Sequence, residues 1–114
     1  MGGYGAILYS TFCNPNKCLS LCPQTLLLYK KRDMFNDFRF PILEKNGIIS
    51  DEYFDLKPFL FKSDFSTPIS VVYSGNNEFD SKHAEWISSS ENITLHPQES
   101  DLHNVSGVLK HRGQ

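Results

Sequence analysis

Residues 69–74, ISVVYS, constrain the fold more than any other part of the sequence. The run is rich in β-branched residues, carries no charge, and is closed off by Pro68 before it and Gly75 after it. Those are the marks of a strand buried on both faces, and such a strand needs neighbours on either side. Two further segments can supply them. Residues 17–23 (KCLSLCP) alternate apolar and small residues over the length of a short strand, and residues 92–95 (NITL) give another. Helical signals lie between and around these strands. Residues 2–12 are apolar, with Gly2, Gly3, Gly5 and Ala6 clustered, and Asn14, Pro15 and Asn16 stop them. Residues 81–89 carry Ala84 and Ile87 at helical spacing, and Leu102, Val105, Val108 and Leu109 repeat at helix period.

Strands that alternate with helices predict an α/β fold with a mostly parallel sheet of about three strands and flanking helices, because parallel neighbours need a crossover between them. Both edges of so thin a sheet are expected to be open. Residues 26–64 mix aromatics with acids and hold breakers at Pro41, Gly47 and Pro58. They predict short helices and loops inserted between the first two strands.

Composition narrows the functional classes. At 114 residues and 13.0 kDa the chain makes one small domain, and 39% hydrophobic residues suffice for a core. A formal charge of -2 without any basic stripe argues against nucleic acid as a partner. Lys30, Lys31 and Arg32 are expected at a solvated helix end or loop. No apolar run reaches the 18 or more residues of a membrane span, and a cytoplasmic chain is expected. Cys13, Cys18 and Cys22 are spaced by five and four, unlike the close pairs of a structural zinc site, and no histidine is placed to complete one. They are expected as reduced thiols, two of them packed in a strand, with no metal and no cofactor.

In open parallel sheets the chemistry sits beyond the carboxyl ends of the strands. The residues there are Gln24 and Thr25, Asn76 to Asp80, and Pro97 to His103. The second group offers carboxylates and the third a histidine. Their order brings in a resemblance. MGGYGAILYS resembles the second half of the G-x-S-x-G nucleophile elbow of α/β-hydrolases, with Met1 directly after the serine and Gly2 as the last glycine. KCLSLCPQ resembles the strand after the elbow helix, and its Cys22-Pro23-Gln24 ending is similar to that of hydrolase-like proteins found among bacterial surface-polysaccharide genes. PISVVYSGNNEFD resembles the acid-bearing strand and loop, and ESDLHNVSGVLKHRGQ the segment delivering the histidine and the closing helix.

The resemblance implies a three-layer partial α/β-hydrolase fold, strands six to eight of an eight-stranded sheet. It implies His103 as general base, Glu78 or Asp80 as its acid, and the nitrogen of Met1 at the oxyanion hole. The usual spacing from Gly75 falls on Glu78, whereas Asp80 is a true Asp at the start of the next helix, where a first-turn or capping role also suits it. His83, His96 and His111 are rivals to His103, and a cation near a helix C-terminus explains His111. Ser74, Ser100 and Ser106 lie near the same face but none sits in an elbow. The implied substrate is a small-molecule or glycan ester, and a chain without the nucleophile is expected to be inactive alone. The other reading is a small non-enzymatic α/β binding module, with a second copy or a partner strand at its open sheet edge.

Overall fold

The structure is a computed structural model that describes residues 2–39, 51–62 and 65–99. In chain order the elements are α1 (Gly2–Cys13), β1 (Cys18–Leu21), α2 (Leu28–Phe35), a 3-10 turn (Asp51–Phe54), α3 (Lys57–Lys62), β2 (Ile69–Ser74), α4 (Glu78–Trp86) and β3 (Ile93–Gln98). The three strands form one parallel sheet in the order β1-β2-β3. Cys18 pairs with Ile69, and Ile69 with Ile93 on the other side. The ISVVYS strand is therefore the central one, and its Ile69, Val71, Val72 and Tyr73 are all buried. The α/β architecture of a small parallel sheet with flanking helices is the one the alternation of elements predicts.

Helix α1 lies closer to the sheet than a helix with ordinary side chains could. A Cβ on Gly3 would stand 2.5 Å from the Leu21 carbonyl oxygen and 2.9 Å from Pro23 Cα, both backbone atoms that cannot move aside. The close approach is sealed by Ser20 Oγ, which donates to the Gly3 carbonyl at 2.9 Å, and by Cys18 Sγ, which donates to the Ala6 carbonyl at 3.5 Å. Of the clustered glycines only Gly3 is required by this packing, since a Cβ at Gly2 or Gly5 would meet nothing within 4 Å.

Between β1 and β2 the chain builds the remaining core. Leu27, Phe54, Leu56 and Leu60 pack with Tyr4 and Ile7 of α1 and with Val71 and Tyr73 of β2. Tyr4 Oη donates to the Tyr53 carbonyl at 2.8 Å, fixing α1 to the 3-10 turn. Helix α2 stops at Asn36, whose left-handed conformation (φ 56°) lets its N–H return to the Arg32 and Lys31 carbonyls.

Strand β1 is shorter than the expected residues 17–23 and α4 ends at Trp86 rather than residue 89, and two further boundaries differ for identifiable reasons. Helix α4 begins at Glu78 rather than near residue 81, because Asn77 caps it: Asn77 Oδ1 accepts from the N–H groups of Phe79 (3.0 Å) and Asp80 (3.2 Å). Strand β3 runs on to Gln98, through Pro97. As an edge strand it can carry a proline whose missing N–H would face away from the sheet. The cysteines are thiols: Cys18 is in β1, Cys22 is buried just beyond it, and Cys13 is exposed.

Leu19, Ser70 and Thr94 are in register across the sheet, and Leu19 and Thr94 are exposed. Residues 102–109, expected to form the closing helix, lie outside the described residues. No helix among the described residues is long and apolar enough to cross a membrane.

Candidate functional site

The carboxyl ends of β1 and β2 are joined by a buried cluster of polar side chains. Gln24 and Thr25 come from the turn after β1, Lys31 from α2, Asp37 and Arg39 from the stretch after it, Ser74 from the end of β2, and Asp80 and His83 from α4. Asp80 and His83 are three residues apart, so both project from the same side of α4 toward that stretch.

Asp37 is the hub. Its Oδ2 accepts from His83 Nε2 at 2.9 Å and from Arg39 Nη2 at 2.9 Å. Its Oδ1 accepts from Arg39 Nε at 2.9 Å and from the Arg39 backbone N–H at 3.0 Å. Burial pushes this carboxyl upward, but the hydrogen bonds from His83 and Arg39 outweigh burial and hold it well below the usual carboxylate range. Arg39 then spans to Asp80, where Nη1 donates to Oδ1 at 2.8 Å. Burial works against the guanidinium charge, and the two carboxylates more than restore it. Its Cζ lies 5.2 Å from the centre of the Phe79 ring, a further cation–π contact.

His83 is fully buried, and its surroundings fix its tautomer. Nδ1 accepts from the backbone N–H groups of Thr25 (2.9 Å) and Leu26 (3.3 Å), so that nitrogen carries no proton. The hydrogen therefore sits on Nε2 and is donated to Asp37. Burial is the largest influence and pushes the imidazole below its usual value, with Asp37 opposing and Arg39 and Lys31 assisting. The ring also meets the edge of Phe35, centroids 4.9 Å apart.

Asp37, His83 and Thr25 form a carboxylate–imidazole–hydroxyl series, yet the arrangement is not that of an activated nucleophile. Thr25 Oγ1 stands 3.2 Å from Nδ1, but its own proton goes to the His83 carbonyl at 2.7 Å. Nδ1 is occupied by amides, and Asp37, His83 and Thr25 are each 0% exposed. A general base must reach a substrate proton, and none can arrive here.

The sequence candidates separate accordingly. Asp80 is buried and built into the network through Arg39, whereas Glu78 is exposed in the first turn of α4. His103 and Met1 lie outside the described residues, as do His111, Ser100 and Ser106. His96 is exposed on β3. Ser74 Oγ and Gln24 Nε2 are buried and find no hydrogen-bond partner among the described residues. Lys31 overturns the expectation of a solvated basic run. It is 2% exposed because its Nζ turns inward to Gln24 Oε1 (3.4 Å) and to the Arg39 carbonyl. Among the described residues no group of three potential ligands is placed to hold a metal ion.

The Asp37–Arg39 pair is the part that sequence reading missed. No local pattern marks it, because residues 35–39 (FNDFR) follow neither strand nor helix period. Comparison with known families, characterised proteins and solved structures gives no match to this chain.

Proposed function

We propose that the chain is the carboxyl-terminal portion of an α/β-hydrolase-type domain, which carries the acid and base loops of an ester or acyl hydrolase and obtains its nucleophile from sequence preceding α1. One observation carries this reading: α1, held to β1 by the close approach at Gly3, leads into three parallel strands that lie in the sheet in sequence order. That is the arrangement the resemblance implies for the elbow helix and the strands after it.

The surface beside α1 and β1 supports it as well. Helix α1 has no charged residue, its Tyr9 and Phe12 are 59% and 63% exposed, and Leu19 on the edge strand is 60% exposed. An uncharged helix beside a sheet edge that is open among the described residues is suited to a further strand and helix. The cysteine thiols suit a reducing, cytoplasmic setting.

In this reading a serine attacks the acyl carbon, His103 takes its proton, and Asp80, oriented by Arg39, stabilises the imidazolium. The backbone nitrogen of Met1 donates to the oxyanion, a contribution worth about 10²–10³ in rate at a formed hole. The substrate class is a small-molecule or glycan ester. The purified chain is expected to leave p-nitrophenyl esters unhydrolysed, and restoring the preceding segment with its G-x-S is expected to give hydrolysis that His103→Ala abolishes. Hydrolysis by the chain alone that survives His103→Ala removes the assignment.

A second reading, a non-enzymatic module that pairs its β1 edge with a partner strand or a second copy, is favoured by the enclosure of Asp80, 1% exposed and ion-paired to Arg39. It predicts a sharply cooperative thermal transition for the isolated chain and concentration-dependent association.

A further inference from the structure

His83 is the point where three separate stretches meet. Its Nδ1 holds the turn after β1 through the Thr25 and Leu26 amides, its Nε2–H holds the stretch after α2 through Asp37, and the ring itself belongs to α4. The two amides can be bound only by a nitrogen that carries no proton. A proton on Nδ1 would face two N–H groups at 2.9 and 3.3 Å, and among the described residues the acceptor within reach is Thr25 Oγ1 at 3.2 Å. Protonation therefore trades two backbone partners for one hydroxyl and leaves two buried N–H groups without an acceptor, which folded proteins avoid.

We infer that His83 is an acid-sensitive latch: its neutral ring clasps residues 24–39 against α4, and protonation releases that stretch while the sheet stays formed.

The charges around the ring leave the latch intact at neutral pH. Asp37 faces it from the stretch after α2 and favours the cation. Arg39 from the same stretch and Lys31 from α2 oppose it. Asp80, one turn earlier on α4, is engaged by Arg39. Strand β2, against which α4 packs, carries no charged residue, and Asp55 and Lys57 from the side of α3 meet Trp86 instead. The released stretch is the one that brings Arg39 to Asp80, so opening the latch also frees the candidate acid from its partner.

The sign follows from the direction of the His83 shift. The closed form resists the proton and the open form accepts it near the ordinary value of 6.5, so the clasp is complete above pH 6.5 and weakens as pH falls below it. The open-to-closed ratio then rises with a slope that approaches about tenfold per pH unit well below pH 6.5, until the closed form is itself protonated. Amide hydrogen exchange on the full chain between pH 7.5 and 5, corrected for intrinsic rates, measures this ratio. Protection at Thr25 and Leu26 is expected to fall by about fivefold from pH 6.5 to pH 5.5 while Val71 and Val72 of β2 hold theirs. In His83→Asn, whose side-chain oxygen can accept the same amides without titrating, protection at Thr25 and Leu26 is expected to stay level with pH. Level protection in the wild-type chain, or an equal decline in His83→Asn, overturns the latch. If His83→Asn does not fold, imidazole ¹⁵N spectra of the wild-type chain decide. The ring is expected to gain its second proton only as the Thr25 amide loses protection, and a doubly protonated ring beside a protected Thr25 amide refutes the proposal.

Discussion

Replacing Asp37 with Ala removes the acceptor on which the buried network depends. Asp37 takes hydrogen bonds from His83 Nε2 and from three Arg39 nitrogens, and its side chain is fully buried. Breaking a buried ion pair by deleting one partner costs about 3–5 kcal/mol. The lower end applies, because Arg39 is 22% exposed and keeps Asp80, whereas the His83 N–H is left buried without an acceptor. The expected loss is ~3 kcal/mol. For 114 residues the entropy of unfolding is about 0.24 kcal/mol/K, so Tm should fall by about 12 °C. Urea unfolding followed by circular dichroism measures the loss, with the exposed Glu78→Ala as control, expected within about 0.5 kcal/mol of wild type. The pH dependence gives a second check. Asp37 is held below its unfolded value of 3.8, so its contribution is complete above that value and is lost as pH falls through the lower folded value. The gap between wild type and variant should therefore be level above pH 6.5, where the His83 latch is closed, and the part carried by Asp37's own titration should be lost only below about pH 4. A loss no larger than that of Glu78→Ala, or a gap that closes near neutrality, refutes the reasoning.

Three other substitutions test separate parts of the fold. Gly3→Ala places a methyl 2.5 Å from the Leu21 carbonyl oxygen and should cost about 1–3 kcal/mol by thermal unfolding, even though alanine favours a helix. Gly5→Ala, where the Cβ meets nothing within 4 Å, should instead stabilise by about 0.5–1 kcal/mol in the same assay. Asn77→Ala removes the cap of α4 and should cost about 1 kcal/mol in urea, with fraying seen as faster amide exchange at Phe79 and Asp80.

The parts of the fold legible in the sequence are those set by local pattern. The ISVVYS strand is the central strand with its bounds at Ile69 and Ser74, because a run apolar on both faces fits only the middle of a parallel sheet. The helix expected over residues 2–12 spans Gly2–Cys13, and of its clustered glycines Gly3 is the one that meets the sheet backbone. The boundaries that differ have separate causes: α4 starts early on a local signal, an Asn before two acidic first-turn residues, whereas β3 outruns its expected end because an edge strand tolerates Pro97.

The site was legible only in part. Asp80 stood out as a carboxylate after a strand, but its partner Arg39 lies 41 residues away in a stretch without periodicity. The inward turn of Lys31 likewise depends on Gln24 and Arg39, which no local pattern links to it. Buried ion networks are joined by the fold and not by spacing, so a linear sequence marks their members without showing their pairing.

The central claim, that this chain completes a serine hydrolase whose nucleophile precedes α1, is tested most directly by covalent labelling with a fluorophosphonate. The account predicts no labelling of the 114-residue chain, labelling of a serine when the preceding G-x-S segment is joined to α1, and loss of that labelling in His103→Ala. Labelling of the 114-residue chain itself, or an extended chain whose serine stays unlabelled, would contradict it.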